Sequence, residues 1–150
     1  MRTLYLKKYN KALSHLHDER SIELLWRDAF QALEDLTPLL SDDYKKLVKA
    51  VVALRKYQKD GVNLLINRVP ETLRNHPVLN FARFKWRLNF GYDDRAYQLL
   101  FEVSGAKEYL GRPEVWGVKR ERLARKLLWD GDYKNAYNIL RNFYYRSFYF

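Results

Sequence analysis

Residues 112–140 read RPEVWGVKRERLARKLLWDGDYKNAYNIL, and their pattern predicts a hairpin of two helices. Its first half places apolar residues at helical spacing after Pro113, which suits the first turn of a helix. Gly131 predicts the end of that helix, because glycine enters the left-handed conformation without steric cost. Asp132 predicts the cap of a second helix, since its carboxylate can accept a backbone N–H. The predicted buried side of the second helix is Ala136, Ile139 and Leu140.

The same pattern occurs twice, at an offset of 40 residues. Residues 91–100 read GYDDRAYQLL and residues 131–140 read GDYKNAYNIL, so the glycine, the alanine, a tyrosine and the final leucine coincide. Repeats of this kind are typical of stacked helix pairs, whose neighbours bury each other's apolar faces. The turn itself resembles that of tetratricopeptide repeats. We therefore predict an all-α fold: a tetratricopeptide-like α-solenoid or superhelix of antiparallel helix hairpins, with about eight helices and no strand.

The remaining elements follow from the same signals, within one predicted domain that spans residues 1–150. They are a helix over 3–13, a turn over 14–18, an apolar helical series over 22–40 with a break near Arg27–Asp28, a helix from a Ser41 cap to Gly61, a helix over 62–69, helices that start after His76 and near Asp93, and a loop over 104–112.

Composition narrows the class of partner. The chain has 28 lysines and arginines against 18 acidic residues, a net charge of +10. This surplus favours nucleic acid, an acidic glycan or anionic lipid, and the alternative is a basic surface without a specific partner. The absence of cysteine excludes disulfides, thiolate metal sites and a thiol nucleophile. The N-terminus lacks a signal-peptide pattern, and no apolar run is long enough to span a bilayer.

The sequence contains no pattern that predicts catalysis. His15 and His17 lie two residues apart without a third metal ligand, and His76 beside Pro77 reads as a capping or turn residue. The paired aspartates at 42–43 and 93–94 lie at helix starts, where the helix dipole explains them. The six glycines occur singly, so there is no phosphate-binding loop. We predict no catalytic residue, no cofactor and no metal for this chain.

Basic residues on two predicted helices form the one candidate site. If the helix after Pro77 and the helix after Pro113 are neighbours, their cations make a face for an anionic ligand, and interleaved aromatics suit sugars or bases. The alternative is that Trp86 and Trp116 belong to the core, which we favour, and that the cations only cover the backs of the helices. The candidate residues are Arg83, Lys85, Arg87, Lys119, Arg122, Arg125 and Lys126.

Over about residues 4–140, the order of several stretches resembles the superhelical, non-catalytic region of the soluble lytic murein transglycosylases. The stretches are RSIELLW at 20–26, VNLLINRVP at 62–70, HPVLNFARFKWR at 76–87, RERLARKLL at 120–128 and GDYKNAY at 131–137. The chain departs from the family's pattern twice. His76 stands where the family prefers an acidic residue before proline, and Val115-Trp116 stands for a pair of tryptophans.

The resemblance implies a scaffold without an active site. Such enzymes cleave the glycan between N-acetylmuramic acid and N-acetylglucosamine, using the glutamate of an ES motif in a separate lysozyme-like domain. Neither that motif nor the GLMQ stretch that follows it occurs in this chain. The resemblance implies peptidoglycan and the parent protein's catalytic domain as partners and a periplasmic location. Because the chain carries no signal peptide, it also implies that residues 1–150 are a fragment of a longer protein.

Two other functions stay open from the sequence. One is a free-standing tetratricopeptide-like adaptor for protein partners, and the other is a basic helical-repeat protein that binds nucleic acid. We predict no specific nucleic-acid partner and no membrane span. The aromatic tail, NFYYRSFYF at 142–150, predicts a further helix, a docking segment or self-association.

Overall fold

The computed structural model describes residues 2–141, with the side chains of residues 9–106 and 108–141. Over this range the regular structure is helical and contains no strand, so the all-α prediction is confirmed. Nine α-helices are present there, where about eight were predicted from the sequence. Their bounds are α1 Arg2–Trp26, α2 Phe30–Leu36, α3 Asp42–Arg55, α4 Val62–Arg68, α5 Pro77–Asn89, α6 Asp93–Ser104, α7 Lys107–Leu110, α8 Pro113–Trp129 and α9 Tyr133–Arg141. The predictions for the aromatic tail at 142–150 lie outside the described residues.

The helices divide into two compact units, Met1–Arg74 and Asn75–Phe150. In the first unit α1 packs on α2 and α3, and α3 packs on α4. In the second unit α5 packs on α6 and α8 packs on α9, while α7 contacts α5, α6 and α8. Each unit therefore contains two helix pairs. The grouping of all residues into one domain stays a prediction.

Both helix pairs of the second unit close with the same glycine turn. Gly91 has a φ of +77° and Gly131 a φ of +81°, the left-handed conformation that the sequence predicts at Gly131. The N–H that follows each glycine donates across the turn, from Tyr92 to the Arg87 carbonyl and from Asp132 to the Leu127 carbonyl, at 2.8 Å in both cases. This pattern is the Schellman motif, which satisfies carbonyl groups left free at a helix end.

The pairs of the first unit close with the same motif but without glycine. Asp28 has a φ of +54° and Tyr57 a φ of +56°. The following N–H groups donate from Ala29 to the Leu24 carbonyl at 3.1 Å and from Gln58 to the Ala53 carbonyl at 3.0 Å. The break near Arg27–Asp28 is thus confirmed. The prediction that α3 continues to Gly61 is wrong, because the helix ends at Arg55 and the chain turns at Tyr57.

The predicted turn over residues 14–18 is also wrong, since α1 is continuous from Arg2 to Trp26. The segment contains no glycine or proline, and polar residues alone do not end a helix. Its polar groups have partners instead. His15 pairs with Glu19 one turn later at 3.1 Å, and the Asp18 carboxylate reaches across to the start of α3.

Ser41 precedes α3 as predicted, but its side chain does not cap that helix. The Ser41 hydroxyl donates to the Asp18 carboxylate at 2.7 Å, and the Ser41 backbone N–H donates to the same carboxylate at 2.9 Å. A carboxylate beside the positive end of a helix is stabilising. Asp18 therefore binds the first helix pair to the second.

In the second unit, two predictions from the sequence are corrected. The loop expected over residues 104–112 contains the short helix α7, whose Leu110 is fully buried. Leu140 was expected on the buried side of α9 but is 45% exposed, whereas Ala136 and Ile139 are buried as predicted. The other expected signals are confirmed. His76 caps α5, and the Asp132 carboxylate accepts the Asn135 N–H at 3.3 Å.

Within residues 2–141, no helix combines the length and apolar character that a bilayer-spanning segment needs.

We expect Gly91→Ala and Gly131→Ala each to lower the free energy of unfolding by about 1 kcal/mol, because an L-residue is strained at these φ values. Steric clash does not contribute, since an added Cβ would meet no atom within 4 Å at either position. Gly105→Ala is the matched control in the same unit. Its φ is −72°, so alanine fits without strain and stability is kept or raised. Urea denaturation followed by circular dichroism measures all three; equal effects at residues 91 and 105 would contradict the assignment.

Candidate functional site

The cleft between α5 and α6 in the second unit is the candidate site. It has a volume of about 450 Å³, and α7 contributes one residue to its wall. Most of the lining side chains are polar or charged. They are Asn75, Asn80, Arg83, Arg87, Arg95, Gln98, Glu102 and Tyr109, with Leu99 and Val103 beneath them.

Local sequence signals set the position of the cleft walls. Pro77 begins α5, and the His76 ring accepts the Val78 N–H at 3.2 Å through Nδ1. The buried side-chain amide of Asn80 donates to the Asn75 carbonyl at 3.1 Å and to the Tyr109 carbonyl at 3.4 Å. These two bonds tie α5 to the chain before it and to α7.

Two arginines of α5 share one wall. Arg83 and Arg87 are one helical turn apart, so they lie on the same face of the helix. Burial lowers the pKa of Arg83, while the neighbouring Glu102 carboxylate raises it. Burial also lowers the pKa of Arg87, and the like charges of Arg83 and Arg95 lower it further. Burial and like-charge repulsion therefore make the charged forms of Arg83 and Arg87 less favourable in the cleft.

The facing wall on α6 supplies the groups that surround these arginines. The Arg87 guanidinium donates to the Arg95 backbone carbonyl at 2.9 Å, which fixes its orientation. The Arg95 guanidinium lies 5.9 Å from the Tyr92 ring centroid, within the range of a cation–π contact. Glu102 accepts a hydrogen bond from the Gln98 amide at 3.2 Å. Three arginines and one glutamate thus line the cleft.

The seven cations predicted from the sequence fall into three groups. Arg83 and Arg87 line the cleft. Lys85, Lys119 and Arg122 form a second group, in which burial lowers the pKa of Lys119 and the charges of Lys85 and Arg122 add to that effect. α5 and α8 therefore bring cations together, although not on one continuous face with the cleft residues.

The third group is Arg125 and Lys126, which form ion pairs within or just beyond α8. Arg125 donates to Glu121 at 2.5 Å, and Lys126 donates to Asp130 at 3.2 Å. The hydrogen bond to Asp130 raises the pKa of Lys126. Arg120, which the sequence places among these cations, is only 1% exposed and donates to the Ile139 carbonyl at 2.9 Å. It is therefore part of the core, not of a binding face.

The tryptophans separate between core and surface. Trp116 is fully buried, as favoured from the sequence, and its indole N–H donates to the Leu110 carbonyl at 2.9 Å. Trp86, which was also favoured as core, is only half-buried and stacks on Tyr92 with ring centroids 5.8 Å apart. Trp129 is 92% exposed, so it is the most accessible of these three tryptophans.

Of the eight polar or charged residues that line the cleft, sequence reasoning predicted only Arg83 and Arg87. Arg95 aligns with Asn135 in the internal repeat, and this difference between two otherwise similar turns was a signal for it. Asn80, Gln98, Glu102 and Tyr109 gave no comparable signal, since isolated polar residues on helices are usually solvated. Their role is visible only once α5, α6 and α7 are packed together.

Within residues 2–141, no cluster of three or more histidine, cysteine, aspartate or glutamate side chains is arranged to hold a metal ion. Comparison of the whole chain with known protein families, curated proteins and solved structures finds no significant match.

We expect His76 to make stability depend on pH. Burial lowers the pKa of His76 in the folded chain, and its unprotonated Nδ1 is the cap acceptor. As pH falls through about 6.5, the unfolded chain takes up the proton first, so the folded state loses stability. The loss continues down to the lowered folded pKa and is absent above about pH 7.5. Its size is about 1 kcal/mol, the usual contribution of a cap.

His76→Asn is the matched variant, because asparagine caps a helix and does not titrate. Urea denaturation at pH 7.5 and pH 5.5 should show a smaller loss of stability for His76→Asn than for the unsubstituted chain. His15 and His17 are present in both proteins, so their effects cancel. Equal losses in the two proteins would remove His76 as the cause.

Proposed function

We propose that this chain is a non-catalytic helical scaffold of a soluble lytic murein transglycosylase. In this proposal its helix pairs are the repeats of a tetratricopeptide-like α-solenoid in the periplasm. The scaffold holds peptidoglycan glycan strands, and a separate catalytic domain of the parent protein cleaves them. The chain itself carries no lytic activity.

The order of the sequence motifs supports this proposal, and so does their place in the fold. The RSIELLW stretch ends α1, the VNLLINRVP stretch covers α4, and the HPVLNFARFKWR stretch starts α5. The last two stretches lie on either side of the Gly131 turn between α8 and α9. Each resembling stretch thus belongs to a helix pair. All four pairs within residues 2–141 close with the same left-handed turn, which supports a repeat architecture.

The observation that supports an anionic ligand is the close spacing of cations in the second unit. Burial lowers the pKa of Arg87 in the cleft and of Lys119 on α8, and the like charges beside each of them lower it further. Positive charges held this close together gain free energy when an anionic polymer binds beside them. Peptidoglycan is such a polymer, because its stem peptides carry carboxylates.

A second candidate function is a protein-binding adaptor, and a different surface favours it. α8 and α9 expose large apolar side chains that have no cover within the described part of the chain, and exposed apolar patches commonly mark protein interfaces. They are Leu128, Trp129, Tyr133, Tyr137 and Leu140. A catalytic domain of the same protein would also be a partner of this kind.

We expect the purified chain to co-sediment with murein sacculi and to release no 1,6-anhydro muropeptides. The triple variant Lys85→Ala, Lys119→Ala, Arg122→Ala should bind roughly threefold to tenfold more weakly, because each exposed or partly exposed charge contributes a fraction of a kcal/mol. The control is Lys45→Ala, Lys46→Ala, Lys49→Ala on α3, which removes the same charge from the first unit. Binding should also weaken as salt is added.

Three outcomes would contradict the proposal. Muropeptide release by the chain would make it an enzyme. No sedimentation with sacculi would remove peptidoglycan as the ligand. Equal weakening by both triple variants would mean that binding follows net charge alone, and salt-sensitive binding to random nucleic acid would then favour the nucleic-acid alternative.

A further inference from the structure

We propose that the cleft between α5 and α6 is a carboxylate-binding site, in which the Arg83 and Arg87 guanidinium groups hold a carboxylate of a short peptide. The site deepens the proposed function, and only the identity of the peptide as a murein stem peptide rests on that function. The chemistry of the cleft stands by itself.

Arg83 is a guanidinium held in the wall of a cleft without a fixed partner. It is half-buried, and it makes no hydrogen bond or ion pair with any residue that the structure describes. Glu102 is near enough to influence its charge, but the Glu102 carboxylate is bonded to Gln98. A partly desolvated charge of this kind is unfavourable until an anion pairs with it.

Arg87 supplies a second guanidinium that is already oriented. One N–H of Arg87 donates to the Arg95 carbonyl at 2.9 Å, which anchors the side chain and leaves its other N–H groups for a ligand. Because Arg83 and Arg87 share one face of α5, both can donate to the same group. Fixing the donors before binding reduces the entropy that binding costs.

The surrounding groups favour a peptide carboxylate over a more highly charged anion. A planar carboxylate matches the arginine fork with two parallel hydrogen bonds. Glu102 repels every anion in the cleft, and it repels a doubly charged phosphate more than a single carboxylate. Asn75, Gln98 and Tyr109 add neutral polar groups that can bond a peptide backbone. A volume of about 450 Å³ accommodates a ligand of dipeptide size.

The experiment titrates the full 150-residue chain with acetyl-alanyl-alanine, a dipeptide with one carboxylate, and follows the arginine Nε–Hε signals by NMR. We expect saturable shifts at Arg83 and Arg87. The same dipeptide with its carboxylate converted to an amide keeps the shape without the charge, so it should cause no such shifts. Inorganic phosphate should bind more weakly than the dipeptide.

Variants locate the binding in the cleft. Arg83→Ala and Arg87→Ala should each weaken the dipeptide at least about tenfold. Arg83→Lys keeps the charge but loses the fork, so it should also weaken binding. Glu102→Gln removes the repulsion and should strengthen binding several-fold, which an unfolded variant could not do. Arg125→Ala, on the same unit but outside the cleft, is the matched control and should leave affinity unchanged.

Each contrary result is decisive. Equal binding of the amide, tighter binding of phosphate, or unchanged affinity in Arg83→Ala would overturn the carboxylate site. Binding to sacculi, measured by co-sedimentation, tests the proposed function, and binding of the dipeptide tests the cleft. If sacculi bind while the dipeptide does not, the cleft proposal fails and the scaffold stands; if only the dipeptide binds, the scaffold fails and the site stands.

Discussion

One backbone constraint underlies the fold within residues 2–141: two residues after the first helix of each pair ends, the chain passes through a residue with positive φ. At Gly91 and Gly131 this conformation costs little, because glycine has no Cβ. Asp28 and Tyr57 adopt it with a Cβ, which costs more, although aspartate tolerates it better than most residues. The Asp28 side chain is held in place by Arg55, whose Nε donates to the Asp28 carboxylate at 2.8 Å. The turn reverses the chain so that the two helices of a pair can pack, and the candidate cleft exists only because α6 returns along α5.

Small and aromatic side chains decide how closely the helices pack. Ala96 and Ala136 occupy equivalent places after the glycine turns, and both are fully buried, so the second helix of each pair can approach the first. Trp116 fills the space between the two pairs of the second unit. Its ring meets the edge of Phe81 with centroids 5.1 Å apart, and its N–H satisfies the Leu110 carbonyl. The Trp116 side chain thus both fills the space and satisfies a buried carbonyl group.

Electrostatics gives the second unit its functional character. Its cations are unequal: Arg120 stabilises the core, and Arg125 and Lys126 form ion pairs. Arg83 forms no hydrogen bond or ion pair with a described residue, although Glu102 lies near enough to raise its pKa. The net charge of a chain by itself affects only its solubility and its non-specific attraction to anions. A half-buried guanidinium in a cleft supports the proposed site, because folding has already removed part of its hydration and binding an anion does not carry that cost again.

The sequence alone determined the all-α class and the glycine turns, together with the caps at His76 and Asp132. These features depend on residues within about six positions of one another, so local spacing is enough to predict them. The left-handed turns at Asp28 and Tyr57, the Asp18 bond to Ser41 and the division of the cations were decided only by the tertiary structure. Asp28 pairs with Arg55 across 27 residues and Asp18 with Ser41 across 23, and helix packing decides which side chains become buried. Contacts between distant residues leave no local pattern, because they depend on how the helices pack and not on the spacing along any one of them.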